Sequence, residues 1–449
     1  MESSSKRNST APKTILDLPS DLLKLILSLL DKNDLRSLSL VSKPFLVLSN
    51  HYIRKLTFKT LPSDSTFRKI FTRFSSVKGI VIQSTRIARA LIAISNSNLN
   101  LEALKIVGCQ AYPSQQHKLS LAGRLKIKSL AFNWVSKVRM DKIIEFIQLF
   151  PALEALHFGD NGFHVELKDA WVESLRLAVP NLRKIHFSLN HYLTDRALYA
   201  LSANCVNLEH VGISSCYFDF TPEGFYNFLL RSRNLKYLLQ VPSFPESDLL
   251  VAEAVSACEN LHHLSIRSTF MRDDKLVAIA KSRASLKSLK MVAHDPETNS
   301  AYTMTGLSAM LCAFQSLSRL HISLPLPPLE SDNFLDKKMS ELVKSLPCLN
   351  NIFISSYCPI YATLFSLIEN CSLLEWISLL TSLPAPDQHY TVPMPQLIRK
   401  NYTVKHITII PSPADSFKIA LGSFCPSLKN WNGRIPMDTF PKNPALDWM

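Results

Sequence analysis

The chain has 449 residues, 47% of them hydrophobic: too long for one ordinary compact core, but suited to a core that grows along one axis. Basic residues outnumber acidic ones by 50 to 36, and the formal net charge of +14 points to an anionic partner without choosing among nucleic acid, acidic peptide, phosphate-bearing ligand and acidic protein. No apolar run approaches the roughly 18–20 residues needed to cross a membrane, so a membrane-spanning helix is not expected.

Residues 1–13 are polar and rich in Ser, Lys and Arg, and read as a disordered lead. They lack the apolar stretch of a secretory signal, so the expected home is intracellular, nucleus and/or cytoplasm. From residue 14 to about 49 the apolar spacing is helical. Ser20 is placed to cap a helix carrying Leu22, Leu23, Ile26, Leu27 and Leu30. Asn33 is placed to cap a second through Leu35 and Leu38, and a third short helix carries Phe45 and Leu48. Three short helices make a small core, which needs to dock on the following residues, on a partner, or on both.

The run Leu18-Pro19-Ser20-Asp21-Leu22-Leu23, with Ile26-Leu27 and Leu30, is followed by Asp34-Leu35, Leu38, Val41-Ser42-Lys43 and Phe45. An L-P entry, spaced Leu/Ile helices and a Val-Ser-Lys step in this order resemble an F-box, over residues 14–50. The resemblance implies docking to the Skp-type adaptor of a cullin-RING ubiquitin ligase. Leu18, Pro19, Leu22, Ile26, Leu35 and Val41 would face or shape that contact. Shielding of the first repeat by a helical cap is a compatible reading.

Beyond residue 51 a phrase of the form L-x-x-L-x-L returns about fifteen times, every 24 to 32 residues. The clean copies are Leu153-Leu156-Phe158, Leu182-Ile185-Phe187, Leu208-Val211-Ile213, Leu261-Leu264-Ile266, Leu286-Leu289-Met291, Leu317-Leu320-Ile322 and Leu349-Ile352-Ile354. Ile53-Leu56-Phe58, Val77-Ile80-Ile82, Leu101-Leu104-Ile106, Ile127-Leu130-Phe132, Leu374-Ile377-Leu379 and Val404-Ile407-Ile409 keep the spacing with more substitution. Leu235-Leu238-Gln240 and Leu428-Trp431-Gly433 are degenerate. A fixed period in this range predicts an α/β solenoid of strand-helix units, a horseshoe over residues 51–434 with a tail at 435–449. Thr194 and Asp195 open a helix carrying Leu198 and Leu201, and another starts at Thr221-Pro222. Connections at 107–123, 294–306, 325–338 and 382–396 exceed what the repeat needs and are either functional loops or tolerated insertions.

Cys205, Cys258, Cys371 and Cys425 each sit three residues before the first anchor of a repeat and should be small buried hydrophobes. Cys109 and Cys216 share another register, filled elsewhere by Asn161 and Asn190. With the leading helices, this pattern is similar to the plant-type F-box/leucine-rich-repeat family, of the cysteine-containing repeat subtype. The resemblance implies a substrate-recognition subunit whose repeats hold a target protein for ubiquitination. No C-x-x-C occurs, and neither a metal nor a cofactor is expected.

In each phrase the leucines point to the core, and strand alternation turns the intervening residues to the inner face. These include Lys105, His157, Lys184, His186, His210, Tyr237, His263, Arg267, Lys290, Arg319, His321, Phe353, Trp376, His406 and Arg434. The three inner rows contain no Asp or Glu; Glu102, Glu154, Glu209 and Glu375 stand just after the first anchor. A positive stripe favouring an anionic ligand is therefore expected, with Arg267, Lys290 and Arg319 on successive strands and Tyr237, Phe353 and Trp376 as apolar anchors. His157 and His186 are neighbours, but no carboxylate or cysteine joins them to make a metal site. The chain has no phosphate-cradling, dinucleotide, zincin or nucleophile-elbow motif, so it is expected to be non-catalytic. A binding scaffold outside any ligase is the alternative, and a binder dependent on nucleic acid or a small molecule a further one.

Overall fold

The computed structural model of the protein describes residues 15, 18–30, 32–110, 126–133, 140–159, 169–188, 193–214, 219–241, 248–267, 271–282, 285–292, 302–325, 334–381, 399–410, 412 and 415–431. The expected lead and tail, Cys216, Asn161, Asn190, Arg434 and most of the four long connections lie outside them, as does the side chain of Arg267.

The head consists of α1 (Ser20–Ser28), α2 (Lys32–Ser39) and α3 (Lys43–Tyr52). Two helix starts differ from the sequence expectation. Pro19 is the cap position of α1, in an extended conformation (ψ 139°) and with no side-chain cap bond, so Ser20 is already helical. Asn33 lies inside the first turn of α2, which begins one residue earlier at Lys32. α3 has a side-chain cap: Phe45 N donates to Ser42 Oγ at 3.5 Å, and Pro44 occupies the first turn, where no N–H is needed. Leu23, Leu27 and Leu35 form the buried centre of the head, with Leu30, Leu38, Leu48 and Tyr52 half-buried around them.

The remaining described chain alternates strand and helix, because each strand phrase supplies two or three core anchors on one face only. The strands are β1 (Lys55–Phe58), β2 (Gly79–Gln83), β3 (Ala103–Val107), β4 (Ser129–Asn133), β5 (Ala155–Phe158), β6 (Lys184–Ser188), β7 (His210–Ser214) and β8 (Tyr237–Val241). They continue as β9 (His263–Arg267), β10 (Ser288–Val292), β11 (Arg319–Ser323), β12 (Asn351–Ser356), β13 (Trp376–Thr381), β14 (His406–Ile410) and β15 (Asn430–Trp431). All pair in parallel, in chain order, in one 15-stranded sheet. The helices behind it that matter below are α4 (Asp64–Arg73), α5 (Ala88–Ser95), α6 (Met140–Ile147), α7 (Asp169–Ala178), α8 (Asp195–Asn204) and α9 (Pro222–Arg231).

Three devices keep the repeats in step. The carbonyl just after each first anchor accepts two amides from the next repeat: Glu154 O from Arg183 N (2.8 Å) and Lys184 N (3.0 Å), Glu209 O from Lys236 N (2.8 Å) and Tyr237 N (3.0 Å). The residue three before the anchor closes the turn, as Cys205 O does for Leu208 N and Cys425 O for Leu428 N, both at 3.0 Å. Cys205, Cys258, Cys371 and Cys425 are buried as expected, and burial pushes their thiols up to about 11, 12, 12 and 11. On the helix side, Asp169 accepts from Thr194 N (2.9 Å) and Oγ1 (2.6 Å), and Asp195 from Thr221 N and Oγ1 (both 2.8 Å). Each cap is thus stapled to the preceding helix by a charge-assisted pair.

The third anchors of three successive repeats make an aromatic spine: Phe132 stacks on Phe158 at 5.5 Å between ring centroids, and Phe158 on Phe187 at 6.2 Å, with Trp171 of α7 edge-on to Phe158. The degenerate phrase Leu235-Leu238-Gln240 is repaired by the backbone. β8 bulges between Leu238 and Val241, so Val241, not Gln240, pairs with Ile266 in the third-anchor register. The head meets this solenoid through polar contacts: Arg73 Nε donates to Asn50 Oδ1 at 3.3 Å, and His51 Nδ1 lies 3.4 Å from Ser76 Oγ.

Candidate functional site

Two surfaces stand out, one on the head and one on the inner side of the sheet. On α1, Leu23 and Leu27 turn inward, whereas Leu22, Leu25 and Leu29 lie three and four residues apart on the opposite stripe. Leu29 is 77% exposed, and at the turn before α3 Leu40 and Val41 are 83% and 67% exposed. Large apolar side chains presented this densely by so small a unit make this surface a candidate docking face. Of the residues expected there, Leu22 and Val41 are exposed, Pro19 is exposed at the helix start, and Leu18 and Ile26 are half-buried. Leu35 is in the head's core and shapes the face without presenting itself. Leu25, Leu29 and Leu40 were missed; the i, i+3, i+7 spacing of Leu22, Leu25 and Leu29 was the available signal.

The inner sheet face is tiled, long side chains lying over short ones on the neighbouring strand. His186 lies over Gly212, where an added Cβ would come within 2.0 Å of the imidazole Cδ2; Asn133 covers Gly159 likewise at 2.3 Å. Rings stack along the array: His157 with His186 (4.5 Å), His210 with Tyr237 (3.9 Å), Tyr237 with His263 (4.0 Å), and Trp376 with His406 (3.6 Å). His321 and Phe353 form a tilted pair at 4.1 Å.

This stacking narrows the expected positive stripe. Burial is the main cause pushing His157 down to about 2, His210 and His321 to about 3 and His263 to about 4, with nearby cations adding to it. These imidazoles are neutral at neutral pH and contribute rings, not charge. Cationic character falls instead to Lys105, Lys184, Lys290 and Arg319. Burial lowers the Lys105 and Lys290 ammonium groups as well. Arg267, Lys290 and Arg319 fall on three different rows: Arg267 is in register with Val292, Lys290 with Ser265 and His321, and Arg319 with Ser288. Phe353 and Trp376 are half-buried on the same face, as expected of anchors.

Along the rim at the strand starts the sequence reading missed a charge ladder. Lys78 pairs with Glu102 (2.6 Å), Lys128 with Glu154 (3.1 Å), Glu209 with both Arg183 (2.5 Å) and Lys236 (3.3 Å), and Lys405 with Glu375 (2.7 Å). Burial raises the Glu209 carboxyl, but hydrogen bonds from Arg183 and Lys236 outweigh it and hold the group below its usual range. Among the described residues no cluster of three His, Cys, Asp or Glu side chains could hold a metal ion, and no helix is long and apolar enough to cross a membrane.

Head and sheet together define a class: a three-helix head leading a leucine-rich-repeat solenoid. Residues 15–55 match the family model described as F-box domain. Over 239 residues the chain is 25% identical to F-box/LRR-repeat protein 4 of Bos taurus, a match covering 52% of this chain and 37% of that protein. The chain therefore spans little more than a third of that relative. In fold it is similar to a chain of the yeast Rad7 and Elc1 complex, with a TM-score of 0.50 at 16% identity, over 93% of this chain and 92% of the other.

Proposed function

We propose that this protein is a substrate-recognition subunit of an SCF-type cullin-RING ubiquitin ligase. The head docks a Skp-type adaptor, and the inner sheet face holds a target protein for transfer of ubiquitin by the partner enzymes. The observation that carries this reading is the apolar stripe Leu22, Leu25 and Leu29 with Leu40 and Val41, exposed on a unit that matches the F-box domain. A continuous sheet with no acid on its inner rows supports the second half, since solenoids recognise partners along such faces. The chain's own role is binding, not catalysis, and its place of action is the nucleus or cytoplasm.

The test is co-purification of the full chain with a Skp-type adaptor. Substituting Leu18 and Pro19 would also disturb the start of α1, so the informative variant is Leu29→Glu with Leu40→Glu. Both side chains are solvent-facing in the free head, so the fold should be unchanged while adaptor capture is abolished. Capture at the wild-type level would remove the ligase reading and leave a repeat scaffold.

A further inference from the structure

Two of the inner face's cations, Lys290 and Arg319, lie on adjacent strands. The row that runs His210, Tyr237, His263, Ser288, Arg319 crosses β7 to β11 in strict register. Three stacked rings occupy its first half and a guanidinium its end, with Ser288 between them. Ser288 is 4% exposed although it faces the inner side. The charge of Arg319 is felt at both His263 and Tyr237, further along the same row. One row along, Lys290 stands between Ser265, itself buried, and His321. Neither Arg319 nor Lys290 has an acidic partner among the described residues.

The rim changes character at the same strands. Lys78, Lys128, Arg183, Lys236 and Lys405 are matched by Glu102, Glu154, Glu209 and Glu375; after Lys236 the next two positions are His262 and Lys287, with no acid between them. Two polar atoms on the ring stack are also unused: Nδ1 of His210 and of His263 is buried without a hydrogen-bond partner among the described residues. Their side chains are 4% and 9% exposed. Both atoms are already covered, so what the stack offers a ligand is ring surface rather than these nitrogens.

We propose that the inner face over β8–β11 is an anion-selective recognition site in which Arg319 and Lys290 hold carboxylates or phosphates of an acidic protein segment laid against the His210–Tyr237–His263 stack. This deepens the proposed function and rests on its assignment of the inner face to the target. An acidic segment fits better than nucleic acid. The cations are few and local, the same rows carry Ala131, Gly212, Leu239, Asn351 and Ser378 on other strands, and many rim cations are already paired. A nucleic acid backbone requires a longer basic track.

The experiment uses the full chain and, as probe, a fluorescent oligoglutamate peptide carrying phosphoserines, with a single-stranded oligonucleotide of equal length beside it. Arg319→Gln with Lys290→Gln should weaken peptide binding by more than about tenfold, the scale expected for two partly desolvated charge contacts. Lys69→Glu with Lys281→Glu, exposed and outside the inner rows, should change it less than about twofold, as screened surface charges do. Arg319→Gln alone, checked for an unchanged melting temperature, separates loss of the site from loss of fold. Absence of peptide binding, or equal binding by the inner-face variant, overturns the proposal. Tighter capture of the oligonucleotide, lost in the same variant, overturns the choice of an acidic protein segment. Leu29→Glu with Leu40→Glu should bind the peptide normally, so failure of the adaptor reading and failure of this one are told apart.

Discussion

The head and the solenoid use the same residue types to opposite ends. The solenoid turns its leucines inward and closes each repeat on the next, so its core runs unbroken from Phe58 to Cys425. The head buries Leu23, Leu27 and Leu35 and leaves Leu22, Leu25, Leu29, Leu40 and Val41 in solvent. In α1 one leucine stripe faces the head's core and the other faces solvent; a repeat strand has one apolar face, and its neighbour takes it. The head thus leaves an apolar stripe open to solvent, whereas each repeat of the solenoid closes on the next.

Acid should separate the two regions most widely. His157, His210 and His263 are buried neutral, with folded values near 2, 3 and 4 against an ordinary 6.5. Below about pH 6.5 the unfolded chain takes up protons that these folded imidazoles refuse. Each depressed imidazole thus contributes stability that is fully present above pH 6.5 and is lost as pH falls towards its folded value. The slope is on the order of 1.4 kcal/mol per pH unit for each such group. The melting temperature of the solenoid should fall steeply between pH 6.5 and 4, while the head, which contains no buried histidine, changes little. A flat profile for the intact chain would contradict the burial of the rings.

Truncation should come next. Phe158→Ala removes the middle of the aromatic spine and should cost about 3–5 kcal/mol, seen as a lower denaturation midpoint. The stripe residue Leu25, replaced by Ser, should shift stability by no more than about 0.5 kcal/mol, because its side chain already faces solvent. Gly212→Ala should cost about 1–3 kcal/mol, less than Phe158→Ala, from driving a methyl group into His186. Adding His186→Ser should relieve much of that cost; no relief would mean that the ring does not lie over the glycine.

The repeat phrase was legible because its information is local. All fifteen expected units have a strand at the expected place, including the weak copies at Ile53 and Val404. The buried register of Cys205, Cys258, Cys371 and Cys425 was equally readable from their fixed distance to the anchor. Helix starts were less so: Ser20 and Asn33 are good capping residues, yet α1 starts one residue earlier than a Ser20 cap implies and α2 two residues earlier than an Asn33 cap implies. Nothing local marks the β8 bulge either, since it exists only relative to Ile266 on the next strand.

By itself the sequence determined the number and order of the strands, the face each anchor takes, and the absence of acids from the inner rows. Period-two alternation and a constant repeat length need no knowledge of distant contacts. The tertiary structure decided which inner-face groups are charged. An imidazole is neutral or cationic according to what covers it, and for His157, His210, His263 and His321 a ring on an adjoining strand is part of that cover. It likewise gathered Arg319, Ser288, His263 and Tyr237 into one row, because residues some thirty apart in sequence become neighbours only when the strands stack.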